Sequence, residues 1–159
     1  MGDNITFNYN IDLTWSIVKL IRDKVSSLVE SQSEELAYAC KMTSSELVEN
    51  AVKYGCSIDN KKGIEFFFSL GDNEAQIKVS NGVINKTDFE NVKAHINEIN
   101  SSVNPQDLYI KRLNTLLEKP ELSQSQLGLY RIAFEGEFLL EYSYNENLNI
   151  LTVTATKKF

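Results

Sequence analysis

The stretch SSELVENAVKYG, residues 44–55, contains two polar residues whose types and spacing could do chemistry. Glu46 and Asn50 are four residues apart, so in a helix they lie one above the other on the same face. A glutamate there could accept the proton of a hydroxyl group or water that attacks a phosphoryl group. The carbonyl oxygen of an asparagine suits Mg²⁺ held mainly by phosphates and water. Together the two residues are sufficient for a sparse phosphoryl-transfer site.

A simpler interpretation of the same pair is structural. An apolar stripe runs along the predicted helix beside it, formed by Leu36, Cys40, Thr43, Leu47, Ala51 and Tyr54. Glu46 and Asn50 fall at the margin of this stripe, where polar residues often do no more than border a core. The spacing alone leaves both interpretations open.

The periodicity of the whole chain predicts the elements that position this pair. Strands are predicted at 5–9, 63–70, 74–81, 137–145 and 148–159, and helices at 12–30, 33–54, 86–100, 105–119 and 127–136. Gly55 follows the second helix where a glycine C-cap is expected. This order predicts an α+β two-layer sandwich, in which a mostly antiparallel sheet carries helices on one face. We expect residues 1–159 to form a single domain.

Composition narrows the classes of function. The net charge of −6 argues against nucleic acid or an anionic membrane as a partner, because both require a basic surface. The two cysteines indicate neither a disulfide framework nor a metal site, which fits a cytoplasmic protein. The single histidine, His95, excludes an H-E-x-x-H zinc site and is expected to be a surface or boundary residue.

Residues 44–55 resemble the N-box of the GHKL superfamily of ATPases and kinases, which reads E-x-x-x-N-A followed by an aromatic residue or histidine. IKVSNG, residues 77–82, resembles its first glycine box, and SQSQLGLYRI, residues 123–132, resembles its second. The resemblance implies the Bergerat-type ATPase fold, with ATP and Mg²⁺ as cofactors and Glu46 as catalytic base. It further implies Asn50 as the metal ligand and a nucleotide shell drawn from Lys53, Ser80, Gly82, Leu127, Gly128 and Leu129.

Three longer stretches, residues 79–100, 107–123 and 127–144, resemble the SiaB-like family within that superfamily. Those proteins switch a small partner by phosphorylating it. The resemblance therefore implies a serine/threonine protein kinase of a bacterial partner-switching system. Its partner would be a small regulatory protein, antagonist-like or sigma-factor-like, and the kinase could form a homodimer.

Departures from the superfamily pattern keep a second function open. Ser80 stands where the first box has an aspartate that accepts from adenine, and a neutral acceptor is weaker than a carboxylate. Gln124 and Gln126 replace two glycines that let the second box wrap phosphates. The alternative is therefore a GHKL-fold binding module that has lost robust catalysis and sequesters a regulatory partner. We expect Glu46 and Asn50 to face a cleft bounded by residues 80–84 and 124–129.

Overall fold

The computed structural model describes residues 4–11, 15–59, 63–119 and 127–159. The helices in these ranges are α1 Ser16–Leu28, α2 Glu34–Tyr54, α3 Lys86–Ser101, α4 Pro105–Glu118 and α5 Gly128–Phe134. The strands are β1 Ile5–Ile11, β2 Gly55–Cys56, β3 Ile64–Leu70, β4 Glu74–Val83, β5 Leu139–Asn145 and β6 Ile150–Lys158. No helix within the described ranges is long and apolar enough to span a bilayer.

The described strands form one antiparallel sheet in the order β1-β3-β4-β6-β5, with β2 paired to the end of β4. Helices pack on one face of this sheet, so the predicted α+β two-layer sandwich is confirmed. No sequence pattern indicates β2, because a strand of two residues is too short to show alternation.

Strand β4 shows which side of the sheet is covered. Ala75, Ile77, Val79 and Asn81 are buried beneath the helices, whereas the residues between them are half-buried on the other face. This alternation follows from the two-residue period of a strand. Successive residues of β4 therefore cannot line the same pocket.

Helix α2 is the long element that carries the N-box-like sequence. Ser33 caps its start, since the Ser33 hydroxyl accepts a hydrogen bond from the Leu36 amide at 3.2 Å. At its end, Gly55 is the C-cap as predicted, and its amide donates to the Ala51 carbonyl, but with φ −97° and ψ −178° its backbone is extended and not left-handed. A glycine is needed there for space, because a Cβ on Gly55 would collide with the side-chain amide of Asn81.

Helices α3 and α4 begin at asparagine caps. Asn85 accepts from the Thr87 amide at 2.9 Å, and Asn104, followed by Pro105, accepts from the Asp107 amide at 3.3 Å. Helix α3 packs against β5 and α5, and α4 packs against α5. Helix α5 therefore contacts both α3 and α4.

Candidate functional site

Glu46 and Asn50 lie on consecutive turns of α2 but line two different cavities. Asn50 lines a small cavity of about 30 Å³ between α2, α3 and the sheet. Glu46 lines an open cleft of about 1170 Å³ between α2, α4 and α5. The expected cleft is found for Asn50, because Asn81, Val83 and Leu129 line the same cavity. The expectation that Glu46 shares that cavity is wrong.

The small cavity is closed mainly by apolar side chains. Phe89 from α3 lines it and stacks on Tyr144, with ring centroids 4.2 Å apart, while Leu129 closes it from α5. The residues on its wall that carry polar groups are Asn50, Tyr54, Asn81 and Asp88. Since one water needs roughly 10–15 Å³, this cavity has room for about two waters and not for a nucleotide.

Residues 77–82, which resemble the first glycine box, do not all lie where the predicted nucleotide shell requires. Ser80 lies on the sheet face opposite the helices, where its hydroxyl is 2.7 Å from that of Thr152. The prediction that Ser80 borders the same pocket as Asn50 is therefore wrong. Asn81, the next residue, lies in that pocket and donates a hydrogen bond to the Gly82 carbonyl at 2.8 Å.

Gly82 is required by the pairing of β2 with β4. A Cβ on Gly82 would lie 2.7 Å from Cys56 Sγ and 2.7 Å from the Ser57 carbonyl oxygen. These distances are shorter than van der Waals contact, so any side chain would push β2 away. The local packing thus accounts for this glycine without a nucleotide.

The described residues of the stretch that resembles the second glycine box line two different cavities. Leu127 lines the open cleft and Leu129 the small cavity, while Gly128 lies against Glu46. Lys53 lines the open cleft, not the cavity of Asn50, and its ammonium lies 5.9 Å from the ring centroid of Trp15. Gln124 and Gln126 fall outside the described residues.

Glu46 is held by an ion pair that crosses from α2 to α5. Arg131 Nη1 donates to Glu46 Oε1 at 2.6 Å, and the glutamate side chain is only 13% exposed. Burial raises the pKa of Glu46 above its usual value, and this effect outweighs the opposing attraction of Arg131. The Glu46 carboxylate is thus partly desolvated and is already paired with Arg131.

Arg131 and Glu135 are site residues that the sequence did not reveal. Arg131 Nε donates to Glu135 Oε2 at 3.3 Å, and the Tyr109 hydroxyl donates to Glu135 Oε1 at 2.9 Å. Burial and the Glu135 carboxylate raise the pKa of Tyr109 to about 12. The i, i+4 spacing of Arg131 and Glu135 was a visible signal, but their link to Glu46 depends on tertiary packing.

A second polar cluster joins α3, α4 and α5. The Tyr130 hydroxyl donates to Glu98 at 2.8 Å, accepts from Arg112 at 3.0 Å and lies 2.7 Å from His95 Nδ1. Burial, and next the charge of Arg112, lower the pKa of His95. His95 is a boundary residue as expected, and it helps to hold α3 over the small cavity.

The described residues offer little to a metal ion. They include no group of three or more histidine, cysteine, aspartate or glutamate side chains that could hold one. Asn50 and Asp88 supply oxygen atoms of the type that Mg²⁺ accepts, on the wall of a cavity too small for a nucleotide. The donor types suit Mg²⁺, but the space does not suit Mg·ATP.

The sequence matches no family model and no curated protein. The fold is similar to that of a chain in the crystal structure of the SiaB-SiaC complex from Pseudomonas aeruginosa, with a TM-score of 0.66. That likeness covers 96% of this chain and 88% of the other, at 15% sequence identity. The shared feature is therefore the fold.

Proposed function

We propose that this protein is a cytoplasmic regulator of a SiaB-like partner-switching system and acts by binding a small regulatory protein. The observation that carries the proposal is the shared fold over 96% of the chain with a protein from the SiaB-SiaC complex. The N-box-like sequence on α2 supports it independently, because Glu46 and Asn50 occupy consecutive turns of one helix. A homodimer is part of the proposal.

Serine/threonine kinase activity is the first form that this regulation could take. Glu46 would accept the proton of the partner's hydroxyl group, and its raised pKa makes it a stronger base than an ordinary carboxylate. Asn50 would contribute its carbonyl oxygen to Mg²⁺, and ATP would supply the phosphoryl group. This form requires α3 to move, since Phe89 and Val92 close the cavity beside Asn50.

Binding without phosphoryl transfer is the second form. Two observations favour it: the cavity of about 30 Å³ and the Glu46–Arg131 ion pair, which occupies the carboxylate. In this form Glu46 and Asn50 have only a structural role in the packing of α2. The protein then regulates its partner by sequestering it.

Calorimetric titration with millimolar Mg·ATP separates the two forms. For a kinase, the wild type should release or absorb heat, Asn50→Ala should weaken binding, and Glu46→Gln should keep it. Transfer to the partner by Glu46→Gln should then fall by roughly 10² to 10⁴, the usual worth of a positioned base. Asn97→Ala, on the exposed side of α3, is the matched control. No heat with the wild type would rule out the kinase form.

A further inference from the structure

Helix α4 presents an apolar stripe to the open cleft. Ile110, Leu113 and Leu117 recur at helical spacing and all line the open cleft, and Ile110 and Leu117 are 46% and 79% exposed. Tyr109, the buried residue of α4, lines the same cleft one turn before Leu113, and Leu113 itself packs partly against the hydrophobic core. The exposed part of the stripe, at Ile110 and Leu117, therefore faces the cleft.

The size of the open cleft suits a polypeptide segment better than a small molecule. Its volume of about 1170 Å³ exceeds the roughly 300–1,000 Å³ of typical small-molecule pockets. Helix α2 forms the opposite wall, where Tyr38 is 51% exposed. Two helical walls with an apolar stripe form the kind of groove that receives an amphipathic helix.

The lining of the open cleft carries more cations than carboxylates. Four cations and three carboxylates line it, although the chain as a whole carries a net charge of −6. Glu46 and Glu135 already pair with Arg131. The charged residues of the lining that are left are three cations, Arg22, Lys41 and Lys53, and one carboxylate, Glu49. Within the described residues, neither Lys41 nor Lys53 forms an ion pair.

We propose that this cleft is the docking site for the partner, and that the partner contributes an acidic amphipathic helix. Apolar side chains of that helix pack on Ile110, Leu113 and Leu117, while its flanking carboxylates approach Lys41 and Lys53. The inference rests on the proposed function, because it names the chemistry of the partner that the regulator binds. Docking here brings the partner directly over the Glu46–Arg131 pair, which lines the same cleft.

The test is a binding measurement without nucleotide. The probe is a library of labelled 18-residue peptides with leucines at helical spacing flanked by glutamates, compared with the same library carrying lysines. Fluorescence anisotropy should show binding of glutamate peptides that weakens as salt is added. Lys41→Glu and Leu117→Asp should each weaken that binding about tenfold, in the range of residues central to an interface.

Two matched variants control for charge and exposed apolar surface. Lys111→Glu makes the same charge change on the exposed side of α4, and Leu148→Asp alters an exposed leucine far from the cleft. Both should bind the glutamate peptides as the wild type does. Circular dichroism melts of all four variants show whether the fold is retained.

Three results would overturn the docking proposal: no binding of any glutamate peptide, equal or tighter binding of the lysine library, or controls as damaging as the cleft variants. Failure of the proposed function is distinguishable. If the purified partner binds the wild type and both cleft variants equally, the proposed regulatory function is retained and only the docking site is wrong. If no small protein partner binds, the regulator itself is wrong.

Discussion

Glu46 Oε1 and Arg131 Nη1 lie 2.6 Å apart, although the two residues are separated by 85 positions in the sequence. The contact ties the middle of α2 to α5 at the floor of the open cleft. Arg131 also contacts Glu135, so its charge is shared between two carboxylates, whereas Glu46 depends mainly on Arg131. Replacing Arg131 should therefore affect the stability of the fold differently from replacing Glu46.

Arg131→Met should destabilise the protein more than Glu46→Gln. It leaves a mostly buried carboxylate without its cation, and we expect a loss of about 2 kcal/mol, below the value for a fully buried pair because Arg131 is partly exposed. Glu46→Gln leaves Arg131 paired with Glu135 and should cost less. Urea denaturation measures both. Lys19→Met, which breaks an exposed pair with Asp23, is the control and should change stability by less than about 0.5 kcal/mol.

The penalty of Arg131→Met should also depend on pH. Without the arginine, the pKa of Glu46 rises further above its ordinary value, because burial is then less opposed. The folded state then binds a proton more readily than the unfolded state, so stability is greatest at low pH and is lost as pH rises. The penalty should therefore be larger at pH 8 than at pH 5. An unchanged penalty in urea titrations at both pH values would contradict the burial of this carboxylate, and Glu46→Gln/Arg131→Met should show no such dependence.

The sequence predicted the elements well because their periodicity is local. The antiparallel sheet and the long helix α2 could be predicted from alternation and apolar spacing, and with them the place of Glu46 and Asn50 on consecutive turns of α2. The site itself depends on contacts that no local pattern shows, such as Glu46 with Arg131. The prediction for Ser80 was wrong for a different reason. In a strand, an error of one residue moves a side chain to the opposite face of the sheet.

Gly128→Ala should destabilise the protein only when Glu46 is present. A Cβ at position 128 would lie 2.5 Å from Glu46 Oε2, and the other close atoms it would meet also belong to Glu46. Alanine should otherwise stabilise the start of α5 by up to about 1 kcal/mol, as a better helix former than glycine. In a double-mutant cycle, Gly128→Ala should be unfavourable in the wild type and neutral or favourable in the Glu46→Ala background. Equal effects in both backgrounds would show that Glu46 is not the obstacle.

His95 should make stability fall as pH decreases below about 6.5. Its environment includes Glu98 from α3, Arg112 from α4 and Tyr130 from α5, and burial with Arg112 lowers its pKa. The unfolded state therefore takes up a proton first, which favours unfolding between the ordinary pKa and the lower folded value. His95→Gln should show a smaller loss of stability between pH 7 and pH 5 than the wild type, measured by urea titration. Asn97→Ala on the same helix should retain the wild-type slope.

Ser80→Asp should leave the affinity for Mg·ATP unchanged. The Ser80 hydroxyl pairs with Thr152 on the sheet face away from α2, so a carboxylate there cannot reach a ligand beside Asn50. Asn81→Asp places a carboxylate on the wall of the Asn50 cavity instead. If α3 opens to admit a nucleotide, this variant should change the affinity by about 1–2 kcal/mol, the usual range for a hydrogen bond to a charged group.

Asn81→Asp also removes the amide that donates to the Gly82 carbonyl, so its stability must be measured beside its affinity. Calorimetry on both variants compares the two faces of the sheet directly. Tighter binding by Ser80→Asp with no change in Asn81→Asp would mean that the nucleotide does not enter from the helix side. Since α2 presents Asn50 only on that side, such a result would also remove Asn50 from the site.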